Sequence, residues 1–126
     1  MRATHFVAVF LFCGTANGPD YPKPAEADVV IKDFRFATGE TLELKVHYRT
    51  IGQRRQDKTG NVLNAVLIMH GTTGSGAQFV VDQFAGELFG KGQPLDAARY
   101  YLILPDAIGH GKSSKPSDGL RAKFPR

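Results

Sequence analysis

Two short segments of this chain carry the residue types and spacing from which a reacting oxygen could be handled. The first is His70-Gly71-Thr72-Thr73-Gly74-Ser75-Gly76, and the second is Asp106-Ala107-Ile108-Gly109-His110-Gly111-Lys112-Ser113-Ser114-Lys115-Pro116. Glycines at this density let backbone N–H groups approach an oxygen closely. A preorganised N–H aimed at a developing oxyanion contributes about 3–4 kcal/mol per donor to acyl transfer. Each segment follows an apolar stretch, Ala65 to Met69 and Tyr100 to Leu104. Those stretches read as buried strands, so both segments stand at a strand's carboxyl end, where open α/β sheets place their ligand sites.

Other chemistries fit less well. No HExxH pattern, cysteine pair or carboxylate cluster suggests a metal, and no cofactor motif is complete. Gly111-Lys112-Ser113 ends like a phosphate-binding loop, but Asp106 stands where that loop needs its first glycine. A carboxylate there opposes the anion-binding logic of the nest. A dinucleotide fingerprint at Gly74-Ser75-Gly76 fails because Phe79 replaces its third glycine. His47 is expected on a solvated polar face, and His110, between two glycines, as a solvated loop residue.

The elements that must hold these segments are legible from periodicity. Thr41 to Thr50 alternates strictly, with Leu42, Leu44, Val46 and Tyr48 on one side and Glu43, Lys45, His47 and Arg49 on the other. Together with the Val/Ile/Phe-rich Asp28 to Ala37, joined through Thr38-Gly39-Glu40, it predicts a β-hairpin with one wet face. Ile51 to Leu63 reads as a surface loop. Asn64 to His70 has no polar alternation at its centre, which predicts a strand covered on both sides of a parallel sheet. Phe79, Val80, Phe84 and Leu88 fall at helical spacing and predict a helix over Gln78 to Phe89. Tyr100 to Leu104 supplies the next strand, completing a parallel strand–helix–strand unit.

Ahead of the hairpin, Arg2, the apolar run Phe6 to Phe12 and the small residues Gly14 and Ala16 outline a secretory signal peptide over residues 1–16. The alternative for that run is a buried N-terminal strand. The lone cysteine, Cys13, would leave with the peptide, so the mature chain would form no internal disulfide. Residues 17–27, NGPDYPKPAEA, read as a linker, and 28–126 as the folded part. The 126 residues are 42% hydrophobic and 22% charged, which is globular composition with room for one small domain. The net charge of +4 is scattered along loops and tail rather than gathered on one face, so no nucleic-acid partner is expected. After signal cleavage no membrane association is expected either.

A strand ending in HG with a small-residue loop, then a helix, then a strand ending in D-x-x-G-x-G-x-S-x-x-P, resembles the first half of the α/β-hydrolase fold. Within that superfamily, FRFATGETLELKVHYRTIG followed by NAVLIMHGTTGSG is similar to the homoserine O-acetyltransferase branch, over about Asp33 to Pro116. The resemblance implies a partial α/β-hydrolase fold and a small-molecule ester or acyl substrate. It also implies that the Thr72 backbone N–H is an oxyanion-hole donor, that His70, Gly71 and Gly74 shape its loop, and that Asp106, Gly109, Gly111 and Ser113 hold the second loop beneath it. The nucleophile of such enzymes lies in Gly-x-Ser-x-Gly, followed by an acid and a histidine. Ser75, Ser113 and Ser114 do not stand in that pattern, so no catalytic residue is expected among these 126 positions. Two functions remain open: the front portion of a secreted serine-dependent hydrolase or acyltransferase, inactive alone, or a small non-catalytic binding protein using the same loops.

Overall fold

The computed structural model describes residues 20–125. The expected signal peptide, Cys13 with it, and the first residues of the expected linker lie outside them. Strands β1 (Ala25–Arg35) and β2 (Thr41–Ile51) form the antiparallel hairpin, with Val29 opposite Val46 and Ile31 opposite Leu44. Its turn is closed by Phe36 N–H donating to the Glu40 carbonyl at 2.9 Å, with Gly39 at φ +97° where a side chain would be strained. β1 begins at Ala25, paired with Thr50, three residues before the expected start. The linker is shorter than its composition suggested because alternating Glu26 and Asp28 find cationic partners across the strand pair.

Strand β3 (Ala65–Leu67) lies parallel to β4 (Tyr101–Pro105), with Val66 opposite Leu102. β4 also pairs antiparallel with β2, so the sheet order is β1-β2-β4-β3. Between β3 and β4 the expected single helix over Gln78–Phe89 is broken in two: a 3-10 turn, Gly76–Val80, and helix α1, Asp82–Leu88. Val81 between them is extended, at φ −86° and ψ 149°. β-branched Val80 and Val81 fit poorly in a helix interior, whereas the break lets Phe79 and Phe84 approach to 4.9 Å between ring centroids. Phe79, Ala85 and Phe89 then pack with Ile51, Leu102 and Leu104 as the core. Tyr21, from the expected linker, closes edge-on against Phe89 with centroids 6.0 Å apart.

Two expectations from alternation are corrected. β2 keeps Leu44 buried, but further along the strand His47, Arg49 and Ile51 are buried instead, so its polar face is not wet. Loop residues Ser113 and Ser114 lie along the edge of β2 beyond β4, where Ser114 N–H donates to the Lys45 carbonyl at 2.8 Å and His47 N–H to Ser113 Oγ at 2.9 Å, and the Arg49 side chain meets Asp106. β3, in turn, is covered on one side only. Val66 and Ile68 pack on the core, while Leu67 and Met69 are 61% and 56% exposed. Among the described residues β3 is an outer strand, and nothing covers this second apolar face.

A bare apolar face beside a free strand edge favours association. The purified chain is therefore expected to bind an apolar dye such as anilinonaphthalene sulfonate and to self-associate as concentration rises, and Leu67→Lys to reduce both. A chain that unfolds sharply and reversibly as a monomer without binding dye contradicts this.

Candidate functional site

Asp106, the first residue after β4, joins the two loops. Its carboxylate is 1% exposed and accepts from three directions: Oδ1 from Gly76 N–H at 2.8 Å and from Arg49 Nη1 at 3.0 Å, Oδ2 from Lys112 N–H at 2.8 Å. Its own carbonyl accepts from Ser113 Oγ–H at 2.6 Å, and its N–H donates to the His47 carbonyl at 2.8 Å. Two glycines are required around it. A Cβ on Gly111, at φ +53°, would overlap Asp106 Oδ2, and one on Gly76 would overlap the Leu104 carbonyl. Gly109 N–H closes the second loop by donating to the Ser114 carbonyl at 2.8 Å. Burial works to raise the Asp106 pKa, but the N–H donors of Lys112 and Gly76 and the charge of Arg49 outweigh it and hold the carboxyl below its ordinary value.

Behind Asp106 lies a charged layer that alternation alone did not reveal. Arg49 Nε also donates to Glu26 Oε1 at 3.0 Å, and Lys112 Nζ meets Glu26 Oε2 at 2.5 Å. Hydrogen bonding from Lys112, helped by the charges of Arg49 and Lys112, holds the Glu26 carboxyl below its ordinary range against desolvation, which works to raise it. His47 is 5% exposed rather than solvated, with Nδ1 2.6 Å from Asp28 Oδ1. Its Nε2 lies 3.2 Å from Glu26 Oε2, within ion-pair distance but not aligned as a hydrogen bond. The sequence signal was cross-strand register: Glu26 faces Arg49 and Asp28 faces His47. The opposite charges of Glu26 and Arg49 in register favour this pairing, but Glu26 fell within the expected linker.

The two histidines of the loops grip each other's backbone. A carbonyl can only accept and an amide N–H can only donate, so the partners assign the ring protons. His70 donates from Nδ1 to the Gly71 carbonyl at 2.7 Å and accepts at Nε2 from Ala107 N–H at 2.9 Å. His110, expected to be solvated, is partly buried and donates from Nε2 to the Thr72 carbonyl. The Gly71 carbonyl accepts a second bond from Gly74 N–H at 3.2 Å. Thr72 is exposed, and among the described residues its N–H has no hydrogen-bond partner.

Three of the four serines have other work. Ser75 Oγ caps the 3-10 turn by accepting from Ala77 N–H at 3.3 Å, Ser113 is fully buried between Asp106 and His47, and Ser114 Oγ accepts from Lys45 N–H at 2.9 Å. The groups a phosphate would need at Gly111-Lys112-Ser113 are engaged: the Lys112 N–H by Asp106, its ammonium by Glu26, and the Ser113 hydroxyl by the Asp106 carbonyl. Two clefts, of about 130 and 280 Å³, lie near the hairpin turn and the C-terminal segment, lined by residues such as Leu42, Leu120 and Phe124. Neither is lined by any residue of His70–Gly76. Gly71, Thr72 and Thr73 are exposed at the tip of the first loop. No group of three or more potential ligands able to hold a metal occurs among the described residues.

Removing one partner of a buried ion pair leaves the other uncompensated, at a cost of about 3–5 kcal/mol. Asp106→Asn is expected to lower unfolding free energy by about that amount in urea, followed by circular dichroism. Because the folded Asp106 pKa lies below its unfolded value of about 3.9, this contribution is fully present above that pH. It is lost as pH falls through the lower, folded value. A variant as stable as the parent at pH 7 contradicts the assignment.

No family model matches the chain. The homoserine O-acetyltransferase of Haloferax prahovense is 34% identical over an alignment covering 75% of this chain and 25% of the relative. That of Caulobacter vibrioides is 37% identical, covering 60% and 20%. The chain thus spans about a fifth to a quarter of the length of the curated relatives it matches. Among solved structures, the homoserine O-acetyltransferase from Bacillus anthracis aligns with a TM-score of 0.52 at 22% identity, over 66% of this chain and 23% of that one. In sequence and in fold these residues are similar to the N-terminal portion of the homoserine O-acetyltransferase-like branch of the α/β-hydrolase superfamily.

Proposed function

We propose that this chain is the N-terminal portion of a secreted, serine-dependent hydrolase or acyltransferase, in which the Thr72 N–H is one donor of the oxyanion hole. The observation that carries the reading is the Gly71–Thr72 peptide group. Its carbonyl is engaged twice, by His70 and Gly74, while its N–H is exposed at the carboxyl end of the β3 region without a partner among the described residues. A donor held rigid before the reaction loses no reorganisation energy when charge develops on a substrate oxygen.

In the whole enzyme an acyl group passes from a small ester or acyl donor to a serine hydroxyl, and then to water or an alcohol. The base removing the serine proton and the acid orienting that base are not found behind Ser75, Ser113 or Ser114, which hold structural bonds. The second N–H of such a hole belongs to the residue after the nucleophile. On this reading the described residues supply one donor of the hole, and Ser75, Ser113 and Ser114 do not supply the attacking group. The early Arg2, the apolar Phe6 to Phe12 and the small Gly14 and Ala16 support export with cleavage near Ala16.

Two measurements test this. The purified chain should neither turn over p-nitrophenyl acetate nor take up a serine-directed phosphonate; a stoichiometric adduct on Ser75, Ser113 or Ser114 would identify a working nucleophile and overturn the assignment. Intact mass of the product recovered from periplasm or medium should show loss of about sixteen residues, whereas a full-length product confined to the cytosol refutes export.

A further inference from the structure

We propose that His110 is a positioning residue: by donating its Nε2–H to the Thr72 carbonyl it completes, with His70, a two-histidine clasp that fixes both peptide groups flanking the Thr72 Cα and aims the Thr72 N–H outward. Its purpose rests on the acyl-transfer reading of Thr72, but the clasp can be tested apart from it.

The argument starts from peptide geometry. A trans peptide is planar, with its N–H and C=O pointing to opposite sides, and no peptide among the described residues is cis. Holding the Gly71 carbonyl on His70 Nδ1–H and Gly74 N–H therefore directs the Thr72 N–H away from the loop body. One anchored peptide is not enough. Thr72 and Thr73 are exposed, and rotation about the Thr72 backbone would let the following peptide swing across the donor. The hydrogen bond from His110 to the Thr72 carbonyl removes that freedom.

His110 is itself held for the task. It lies between Gly109 at φ +91° and Gly111 at φ +53°, its N–H donates to the Ala107 carbonyl at 3.0 Å, and its carbonyl accepts from Ser113 N–H at 3.1 Å. The rings of His70 and His110 sit 5.3 Å apart between centroids, tilted by 60°. The linkage is reciprocal: the second loop's Ala107 N–H donates to His70, and the second loop's His110 donates to the first loop's Thr72. The remaining nitrogen, His110 Nδ1, lies 3.4 Å from the Ile108 carbonyl, a weaker contact. Thr72 thus receives its orientation from the second loop as well as from its own.

Three variants separate donor from ring. His110→Phe keeps a ring against His70 and removes the donor, His110→Gln keeps an N–H donor without the ring, and His110→Ala removes both. The ¹⁵N-labelled chain is followed by NMR below the concentration at which it associates. In the parent, ring-nitrogen correlations should place the proton of His110 on Nε2 and that of His70 on Nδ1. Backbone order parameters at Thr72 and Thr73 should fall from about 0.85 to below about 0.6 in the Phe and Ala variants, with Gln close to the parent. Leu102 and Leu104 should not change in any of them. A parent with the His110 proton on Nδ1 alone overturns the proposal, as do Phe and Ala variants with an unchanged loop, a Gln variant that fails to restore it, or equal loosening of Leu102 and Leu104. A phosphonate adduct would refute the assignment that these residues lack a nucleophile, whereas the tautomer and order-parameter readouts are taken on the untreated chain, so the two fail separately.

Discussion

The buried carboxylate of Asp106 is the interaction on which the arrangement depends. An ionised carboxylate removed from water is costly unless it is matched by donors and by opposite charge. Here Gly76 and Lys112 supply N–H groups from the two loops, and Arg49 supplies charge from the sheet. Satisfying one ion therefore sets the positions of three chain segments at once. The glycines follow from the same requirement, since a side chain at Gly111 would occupy the space of the carboxylate oxygen.

Charge continues outward from that point in a way that favours geometry over net stability. Arg49 is shared between Asp106 and Glu26, and Glu26 is shared again with Lys112 of the second loop. His47 approaches both Glu26 and Asp28, which fastens β1 to β2. Glu26, Asp28 and Lys112 in this network are solvent-accessible, and ion pairs at such positions contribute little individually. The inner pair is different, because both side chains are almost fully buried and neither can be lost without stranding the other.

On this base the loops act as a pair. Each presents a histidine whose ring nitrogen engages the other loop's backbone, so that the position of Thr72 is decided by residues nearly forty positions apart. The sheet beneath is only half clothed: Phe79, Ala85 and Phe89 cover one side of β4, while Leu67 and Met69 on the other side of β3 remain exposed.

By itself the sequence determined the element types, the parallel pairing of the segments around Val66 and Leu102, and the two loops at their carboxyl ends. These follow from local periodicity and glycine content, which act over a few residues. Tertiary structure alone decided the burial of His47 and Arg49, because strand alternation specifies which residues share a face but not what covers that face. It also decided the start of β1 at Ala25, where Glu26 belongs to a charge network rather than a linker, and the break at Val81, where packing of Phe79 against Phe84 overrides one continuous helix. His110 shows the same limit: between two glycines it reads as solvated, and only the approach of the first loop's carbonyl gives its Nε2–H a partner. A hydrogen bond between residues 38 positions apart leaves no trace in local pattern, since either residue alone is compatible with an ordinary surface loop.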